Sequence, residues 1–308
     1  MPLTLVVFAG FYAAARHAER YADTLGEALH GHLLLLHVNR VSLFDPYELV
    51  DERYRQAELA TETDTTAALH RQAAALRTPA TVLVTTDLLP ELANDVAARY
   101  RPALFVLSQP DPDHPAASVV ADCAELLRAG HHALLVVPAH APADQPPRRI
   151  LLAADREPFT LAPAATALRE LLALPGTALL VAHVSGGVED DSGCAAALRA
   201  VQNSGLVDGL PTPEVRGYTA GNYAAGVLAA VREAQADLVV VFARERSYLG
   251  ELFHRSVTAR LLADSPVPVL VLPTAAVATP AAAPASTFPA ATAAQYASVV
   301  LTGLSPAS

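Results

Sequence analysis

Short runs of leucine and valine alternate along the chain with longer stretches whose polar residues recur at helical spacing. The apolar runs show no polar alternation, which is typical of parallel strands that helices cover on both faces. The runs predict strands near 3–8, 33–38, 81–85, 103–108, 133–137, 149–154, 178–184, 213–217, 237–242 and 268–272. Helices are predicted at 12–30, 46–76, 89–100 and 117–129. This alternation indicates an α/β protein with crossover helices.

The strand pattern occurs twice. Thr4–Gly10 precedes the similar run Arg149–Asp155 by 145 residues, and the second strands are separated by 146 residues. The fourth and fifth strands are separated by 134 and 135 residues, which places a shorter segment in the second half. Two copies of five β-α repeats predict two tandem, doubly wound, parallel five-stranded sheets of Rossmann-like type.

The boundaries of these units follow from composition. We expect a first domain at 1–139, a linker rich in proline and alanine at 140–147, and a second domain at 148–273. Residues 274–308 carry no charged side chain and include 13 alanines among several prolines. Such a segment cannot build a core, so the sequence predicts a low-complexity, mostly disordered tail.

Composition excludes several functions. All 21 basic residues are arginine, and the absence of lysine excludes a P-loop lysine and a Schiff-base lysine. A net charge of −10 without basic runs argues against nucleic acid as a partner. No apolar run reaches the roughly 20 residues of a membrane span. We therefore expect a soluble, cytoplasmic protein with no membrane partner.

Four features together resemble the universal stress proteins (UspA-like), here in a tandem arrangement. They are the strand Ile150–Asp155, the strand ends His37-Val38 and His183-Val184, the stretch Asp237–Leu262, and the closing run Pro268–Pro273. The resemblance implies a role in stress response through protein contacts, with the protein partner unknown. It also implies that the two fifth strands pair as an internal pseudo-dimer, and leaves a further homodimer open.

The glycine pattern with which many members of this family bind ATP is broken. That pattern, G-x2-G-x9-G-[ST], follows the fourth strand and lets backbone amides approach the phosphates. Here its glycine positions hold Phe242, Glu245 and Arg255, and only Ser256 matches. We therefore predict no ATP binding and no cofactor, with Phe242 or Tyr248 occupying part of the cleft.

The alternative is that the second domain binds ATP, AMP or another anion. Asp155 matches the acidic residue that follows the first strand in nucleotide-binding relatives, and Val184 matches the position beside the base. Arg244, Arg246, His254 and Arg255 cluster in one predicted loop and could hold an anion by charge. The candidate residues for this site are Asp155, Val184, Arg246, Arg255 and Ser256.

The first half departs further from the nucleotide pattern, with Gly10 at the position of Asp155 and Ala121 opposite Ser256. We predict a structural role for it. No catalytic motif is present, and the histidines at 30, 32, 131 and 132 lack further ligands at zinc spacing. The sequence therefore predicts no catalytic residues, no enzymatic activity and no metal site.

Overall fold

The computed structural model describes residues 2–38, 52–87, 89–109, 116–130, 132–162, 165, 167–187, 191–244 and 257–276. The strands are β1 Thr4–Phe8, β2 His32–Val38, β3 Ala80–Thr85, β4 Ala103–Ser108, β5 Ala133–Val137, β6 Arg149–Ala153, β7 Phe159–Leu161, β8 Ala178–Ser185, β9 Glu214–Thr219, β10 Leu238–Arg244 and β11 Val269–Ala276. The helices are α1 Ala13–Ala28, α2 Glu52–Ala75, α3 Leu89–Arg99, α4 Ala116–Gly130, α5 Arg169–Leu172, α6 Asp191–Asn203, α7 Tyr223–Glu233 and α8 Val257–Asp264.

All eleven strands belong to one sheet, and β7 pairs with β11 at its side. The order is β3-β2-β1-β4-β5-β11-β10-β6-β8-β9, so each half has the doubly wound order 3-2-1-4-5. Within each half the neighbouring strands of this path are parallel. The predicted α/β class with parallel strands is confirmed.

The two halves meet where β5 pairs antiparallel with β11. Leu135 lies opposite Leu270, and Leu134 lies opposite Val271. Both strands are buried apolar runs. If either strand lay at an open edge of the sheet, its unpaired backbone N–H and C=O groups would pair readily with another strand. The two predicted five-stranded sheets are therefore halves of one continuous sheet.

A hydrophobic core lies on each face of this sheet and spans both halves. One core takes side chains from α3, α4, α7 and α8, for example Leu92, Leu126, Val227 and Leu261. The opposite core takes side chains from α1, α2, α5 and α6, for example Leu25, Leu69, Leu171 and Val201. Residues Met1–Ala276 consequently form one compact unit. No helix within the described ranges is long and apolar enough to cross a membrane.

The second half differs from the first between its first two strands. In the first half the 16-residue helix α1 fills this connection. In the second half the sequence of this connection contains Pro158, Pro163 and Pro175, and proline disfavours a long helix because it lacks the N–H group and clashes with the preceding turn. The short strand β7 and the short helix α5 take its place.

Strand β11 corrects one predicted boundary. It runs to Ala276, where it pairs with Phe159 of β7, so the tail predicted from residue 274 loses its first three residues to the sheet. β7 itself was not predicted from the sequence. The rest of the predicted tail lies outside the described residues.

The predicted linker packs against the first half. The Nε2 atom of His17 donates to the carbonyl of Ala141 at 2.7 Å, and the Thr24 hydroxyl donates to the carbonyl of Ala143 at 2.6 Å. Ala141 is itself buried. These contacts fix the linker on α1.

One side chain also bonds across the join between the halves. The Gln109 amide, just after β4, donates to the carbonyls of Ala263 at 2.8 Å and Ser265 at 3.0 Å. These carbonyls lie at the carboxyl end of α8, where a helix leaves acceptors unsatisfied. Gln109 therefore supplies donors that α8 lacks.

The buried carboxylate of Asp23 ties α1 to the loop between α2 and β3. It accepts hydrogen bonds from the backbone N–H groups of Thr78 at 2.8 Å and Arg77 at 3.1 Å. Burial alone raises the pKa of Asp23, but these hydrogen bonds outweigh it and hold the pKa below its ordinary value of 3.8. The charged form of Asp23 thus stabilises the fold.

We expect Asp23→Asn to lower the free energy of unfolding by about 2 kcal/mol at neutral pH, since the amide turns a donor toward backbone donors. The Asp23 contribution is complete above pH 3.8 and is lost as pH falls through the lower folded-state pKa. Urea unfolding at neutral pH and at about pH 3 measures this. The exposed Asp95→Asn variant is the control, and an equal effect of Asp23→Asn at both pH values would contradict the assignment.

Candidate functional site

A cavity of about 200 Å³ opens at the carboxyl ends of the adjacent strands β6 and β10. The chain leaves β6 toward α5 on one face and leaves β10 toward α8 on the other. Open α/β sheets bind ligands at such a point, where the strand order reverses. Among the residues that line the cavity are Asp155, Arg244, Phe159, Tyr223 and Phe242.

Arg244, at the end of β10, binds the carboxylate of Asp155. Its Nε atom donates to Oδ2 at 3.3 Å and its Nη2 atom donates to Oδ1. The guanidinium also donates to the carbonyl of Glu157 at 2.9 Å and to that of Pro158 at 3.4 Å. Only 15% of the Arg244 side chain is exposed. The guanidinium is therefore engaged by the loop that follows β6.

The Asp155 carboxylate organises the same loop from its other side. Its Oδ1 atom accepts from the backbone N–H of Glu157 at 3.0 Å, which closes a tight Asx-type turn. The Glu157 carboxylate lies 3.6 Å from the Nε atom of Arg244. Asp155 thus serves as a turn residue and as the partner of Arg244.

Phe159 and Phe242 are both among the residues that line the cavity, and their rings contact each other. The ring of Phe242 lies 4.4 Å from that of Phe159, centroid to centroid, and the Arg244 guanidinium lies 6.0 Å from the centre of the Phe159 ring. Phe242 lines the cavity, as predicted for the residue at the first glycine position. Tyr248, the other predicted occupant, lies outside the described residues.

Tyr223 is the first residue of helix α7 and lines the cavity together with Asp155 and Arg244. Burial raises the pKa of Tyr223 well above its usual range, and the nearby Asp155 carboxylate raises it further, while Arg244 lowers it. The phenol therefore remains protonated at neutral pH. It adds an uncharged polar group to the cavity.

Val184 does not line this cavity among the residues that the structure describes. It lies near the end of β8 and packs against Gly226 in α7. A Cβ atom added at Gly226 would lie 2.4 Å from Cγ1 of Val184, so the helix approaches the strand this closely only because residue 226 is glycine. This contact indicates a packing role for Val184.

We expect Gly226→Ala to lower the free energy of unfolding by roughly 1–2 kcal/mol through overpacking, although alanine is usually better than glycine in a helix. Val184 is β-branched and cannot turn away easily. Adding Val184→Ala should remove the clash, and a double-mutant cycle in urea measures the coupling. Gly221→Ala, with open space around it, is the control. Independent effects of the two substitutions would contradict this packing.

The remaining candidates lie outside the described residues. These are Arg246, Arg255 and Ser256, and the described helix α8 begins at Val257. The structure therefore brings Asp155 together with Arg244 and Phe242. The sequence pattern predicts Arg244 in a loop cluster of arginines and does not predict its pairing with Asp155. In the structure the parallel register that sets Val241 beside Ala153 brings the two residues to the same edge of the sheet.

The equivalent position of the first half has a different composition. Gly10 replaces Asp155, and a Cβ atom there would lie 2.7 Å from the ring of Tyr12. The Tyr12 hydroxyl lies 3.3 Å from that of Ser108, which stands where Phe242 stands in the second half. The carboxylate of the second-half site thus has no counterpart at this position.

Larger depressions lie away from this edge. One of about 360 Å³ lies at the amino ends of β6, β8 and β9, where Arg216 donates to Glu214 at 2.8 Å and Arg149 donates to Gln235 at 3.0 Å. Open α/β sheets bind ligands at the opposite edge. Across the described ranges, no group of three or more His, Cys, Asp or Glu side chains could hold a metal ion.

Comparison with known proteins agrees with the fold. The model of the universal stress protein family matches residues 146–273. No curated protein matches the chain. The crystal structure of a universal stress protein from Archaeoglobus fulgidus DSM 4304 is 16% identical, covers 87% of this chain and 97% of its own, and has a TM-score of 0.64.

A putative universal stress protein from Pseudomonas aeruginosa UCBPP-PA14 is also 16% identical. The match covers 89% of this chain and 94% of that one, with a TM-score of 0.52. At this identity the two structures show a shared fold, which includes the first half, whereas the family match concerns the second half. Residues 146–273 therefore match the universal stress protein family, and the chain shares the fold of two solved structures described as universal stress proteins.

Proposed function

We propose that this protein acts in stress response through contacts with other proteins and does not bind ATP. The observation that carries the proposal is the pairing of Arg244 with Asp155. Asp155 is the residue that the resemblance assigns to a nucleotide, and here its two oxygens already accept from a guanidinium. Phe242 adds a ring where the family pattern has its first glycine.

The free energies of these interactions favour a loss of ATP binding. A charge-assisted bidentate pair contributes about 1.5–3 kcal/mol, and the 42% exposure of the Asp155 side chain places it toward the lower end. A micromolar ligand has about 8 kcal/mol of binding free energy in total. Displacing Arg244 and losing backbone contacts at Phe242 would together weaken a nucleotide toward millimolar affinity.

The join between β5 and β11 supports an internal pseudo-dimer. Members of the family pair their fifth strands between subunits, according to the resemblance, and here that edge is used within the chain. Binding of partner proteins, or of a second copy, would therefore use another surface. We assign no catalytic chemistry to the protein.

We place this role in the cytoplasm, as the sequence predicts. Cys123 and Cys194 form no disulfide within the described part of the chain. Burial raises the pKa of the Cys123 thiol well above its usual range, which makes a reactive thiolate unfavourable there. These features support a reducing compartment.

The alternative function is a nucleotide-binding module in the second domain, with ATP or AMP as the ligand. The position of the cavity between β6 and β10 favours it, because ligands of open α/β sheets bind there. In that case Asp155 would have to release Arg244 when the nucleotide binds.

The nucleotide content of the purified protein tests the proposal. We expect protein from cells, extracted with acid and analysed by ion-pair chromatography, to release only traces of adenosine phosphates. Arg244→Ala, which exposes the Asp155 carboxylate, is the matched variant. Stoichiometric nucleotide from the unaltered protein would overturn the proposal.

A further inference from the structure

We propose that the outer strand β3 pairs antiparallel with β3 of a second copy of this chain, in a register centred on Leu83. The inference deepens the proposed function, since it rests on a role in protein contacts and names one surface and one partner for them. It depends on the open edge of β3, the symmetry of its sequence and the charges at its ends.

The open edge follows from the position of β3 in the sheet. β3 is the last strand on the side of the first half, and among the described strands it pairs only with β2. The carbonyl of Pro79 accepts from the N–H of Leu33, so every second residue after Pro79 directs its backbone groups toward β2. Ala80, Val82 and Val84 consequently direct their N–H and C=O groups to the open side. Such an edge pairs readily with another strand.

The two outer strands of the sheet differ in charge. β9, the outer strand of the second half, carries Glu214 and Arg216 at exposed positions, and charges on an edge strand oppose pairing with another chain. β3 has no charged residue, and its side chains are half-buried or exposed. Charge therefore protects the edge at β9 and does not protect the edge at β3.

The sequence of β3 favours a second copy as the partner. Residues 81–85 read Thr-Val-Leu-Val-Thr in both directions. Antiparallel pairing about Leu83 therefore sets valine opposite valine, threonine opposite threonine and leucine opposite leucine. Pairs of β-branched residues and pairs of threonines stabilise antiparallel strands, and a two-fold axis makes each contact twice.

The backbone groups agree with this register. In antiparallel strands, opposite residues alternate between pairs that exchange two hydrogen bonds and pairs that exchange none. Val82 would lie opposite Val84 of the second copy, and the backbone groups of both residues face the open side. This pair therefore exchanges two hydrogen bonds, and Leu83 falls on the two-fold axis as a close pair without hydrogen bonds.

The charges beyond the ends of the strand are complementary in the same register. Asp87 would lie opposite Pro79 of the second copy, and thus two residues from Arg77 of that copy. Long side chains interact at this diagonal spacing. Asp87 is exposed, and 54% of the Arg77 side chain is exposed. The pairing therefore brings an aspartate and an arginine together at each end.

The chain uses the same kind of contact at its own join. β5 and β11 are buried apolar strands that pair antiparallel over three residue pairs. The helices of both halves then share each face of the sheet. A two-fold axis perpendicular to the sheet at Leu83 would extend the sheet across two molecules in the same way.

Two matched double substitutions test this pairing. Thr81→Lys with Thr85→Lys sets lysine opposite lysine twice across the interface, whereas Thr81→Lys with Thr85→Glu sets lysine opposite glutamate twice. Within one chain the two positions are about 13 Å apart, so the two double variants differ little inside the monomer. Near-ultraviolet circular dichroism checks the fold of each variant.

Sedimentation velocity of the full chain at increasing concentration measures association. We expect the unaltered protein to form a dimer with a Kd on the order of 10–100 μM, because one strand pair buries less than the roughly 1,600 Å² of a standard interface. The double-lysine variant should dimerise at least tenfold more weakly than the lysine–glutamate variant, since like charges directly opposite destabilise a strand pair.

Two single variants complete the test. Val84→Pro removes an N–H group that faces the open side, so the fold should persist, as it does with proline on edge strands, while the dimer is lost. Thr219→Lys adds the same charge to an exposed position of β9 and should leave the Kd unchanged. A monomeric unaltered protein well above the expected Kd, equal association of the two double variants, or full association of folded Val84→Pro would overturn the inference.

The nucleotide content of the same samples separates this inference from the proposed function. Stoichiometric adenosine phosphates in a protein that dimerises as expected would overturn the proposed loss of ATP binding and support the pairing of β3. A monomeric protein without nucleotide would overturn the pairing of β3 alone.

Discussion

Replacing Leu135 by aspartate should abolish the cooperative folding of residues 1–276. Leu135 is fully buried at the centre of β5, opposite Leu270 of β11, and both belong to the core that spans the two halves. Loss of the leucine side chain costs about 2–5 kcal/mol, and burial of a carboxylate adds several more. Together these costs reach the whole stability of an ordinary domain, about 5–15 kcal/mol.

Near-ultraviolet circular dichroism and urea unfolding measure this effect. Leu135→Ala should keep the fold with a lower urea midpoint, because it loses only the packing contribution. Thr219→Asp, at an exposed position of β9, controls for an aspartate in a strand and should unfold like the unaltered protein. A native spectrum for Leu135→Asp would contradict the position of β5 at the centre of the sheet.

Separation of the second half from the first should convert it into a self-associating protein. A chain of residues 146–276 lacks β5, so the buried strand residues Val269 to Leu272 lose their partner strand and form an exposed apolar edge. Such an edge pairs with another copy. We expect dimers or larger species in size-exclusion chromatography with light scattering.

The full chain at the same concentration is the reference for this comparison. The pairing of β5 with β11 is tested by whether the chain of residues 146–276 associates more than the full chain does. The association state of the full chain alone does not test it. A monomeric, folded chain of residues 146–276 would show that β11 does not need β5.

Much of the fold was predictable, because it depends on patterns that repeat locally. The leucine and valine runs predicted ten of the strands, and the internal repeat predicted a doubly wound, parallel arrangement in each half. β7 escaped because it has only three residues between Pro158 and Pro163, too short for a periodic signal. Its pairing with the end of β11 depends on tertiary contact.

The site was less predictable, because its contacts join residues far apart in the sequence. Asp155 and Arg244 are separated by 89 residues, and from the sequence each of them was predicted to contact a ligand. Only the parallel register of β6 and β10 brings them together. Phe242 was anticipated since it replaces a glycine of a known pattern, which is a local signal.

The packing contact of Val184 could not be predicted from the sequence for a different reason. The family resemblance placed it beside a base, but the close approach of α7 at Gly226 gives it a packing contact. An isolated glycine inside a helical pattern often marks such an approach, so Gly226 was the available signal. Distances of this kind cannot be read from strand patterns alone.

Titration of the purified protein with ATP, ADP and AMP at low salt tests most directly whether the Arg244–Asp155 pair has replaced nucleotide binding. Isothermal titration calorimetry should give no binding tighter than about 100 μM for any of the three. Saturable binding below that value, lost on Asp155→Ala, would show that the carboxylate still serves a nucleotide and would contradict this account.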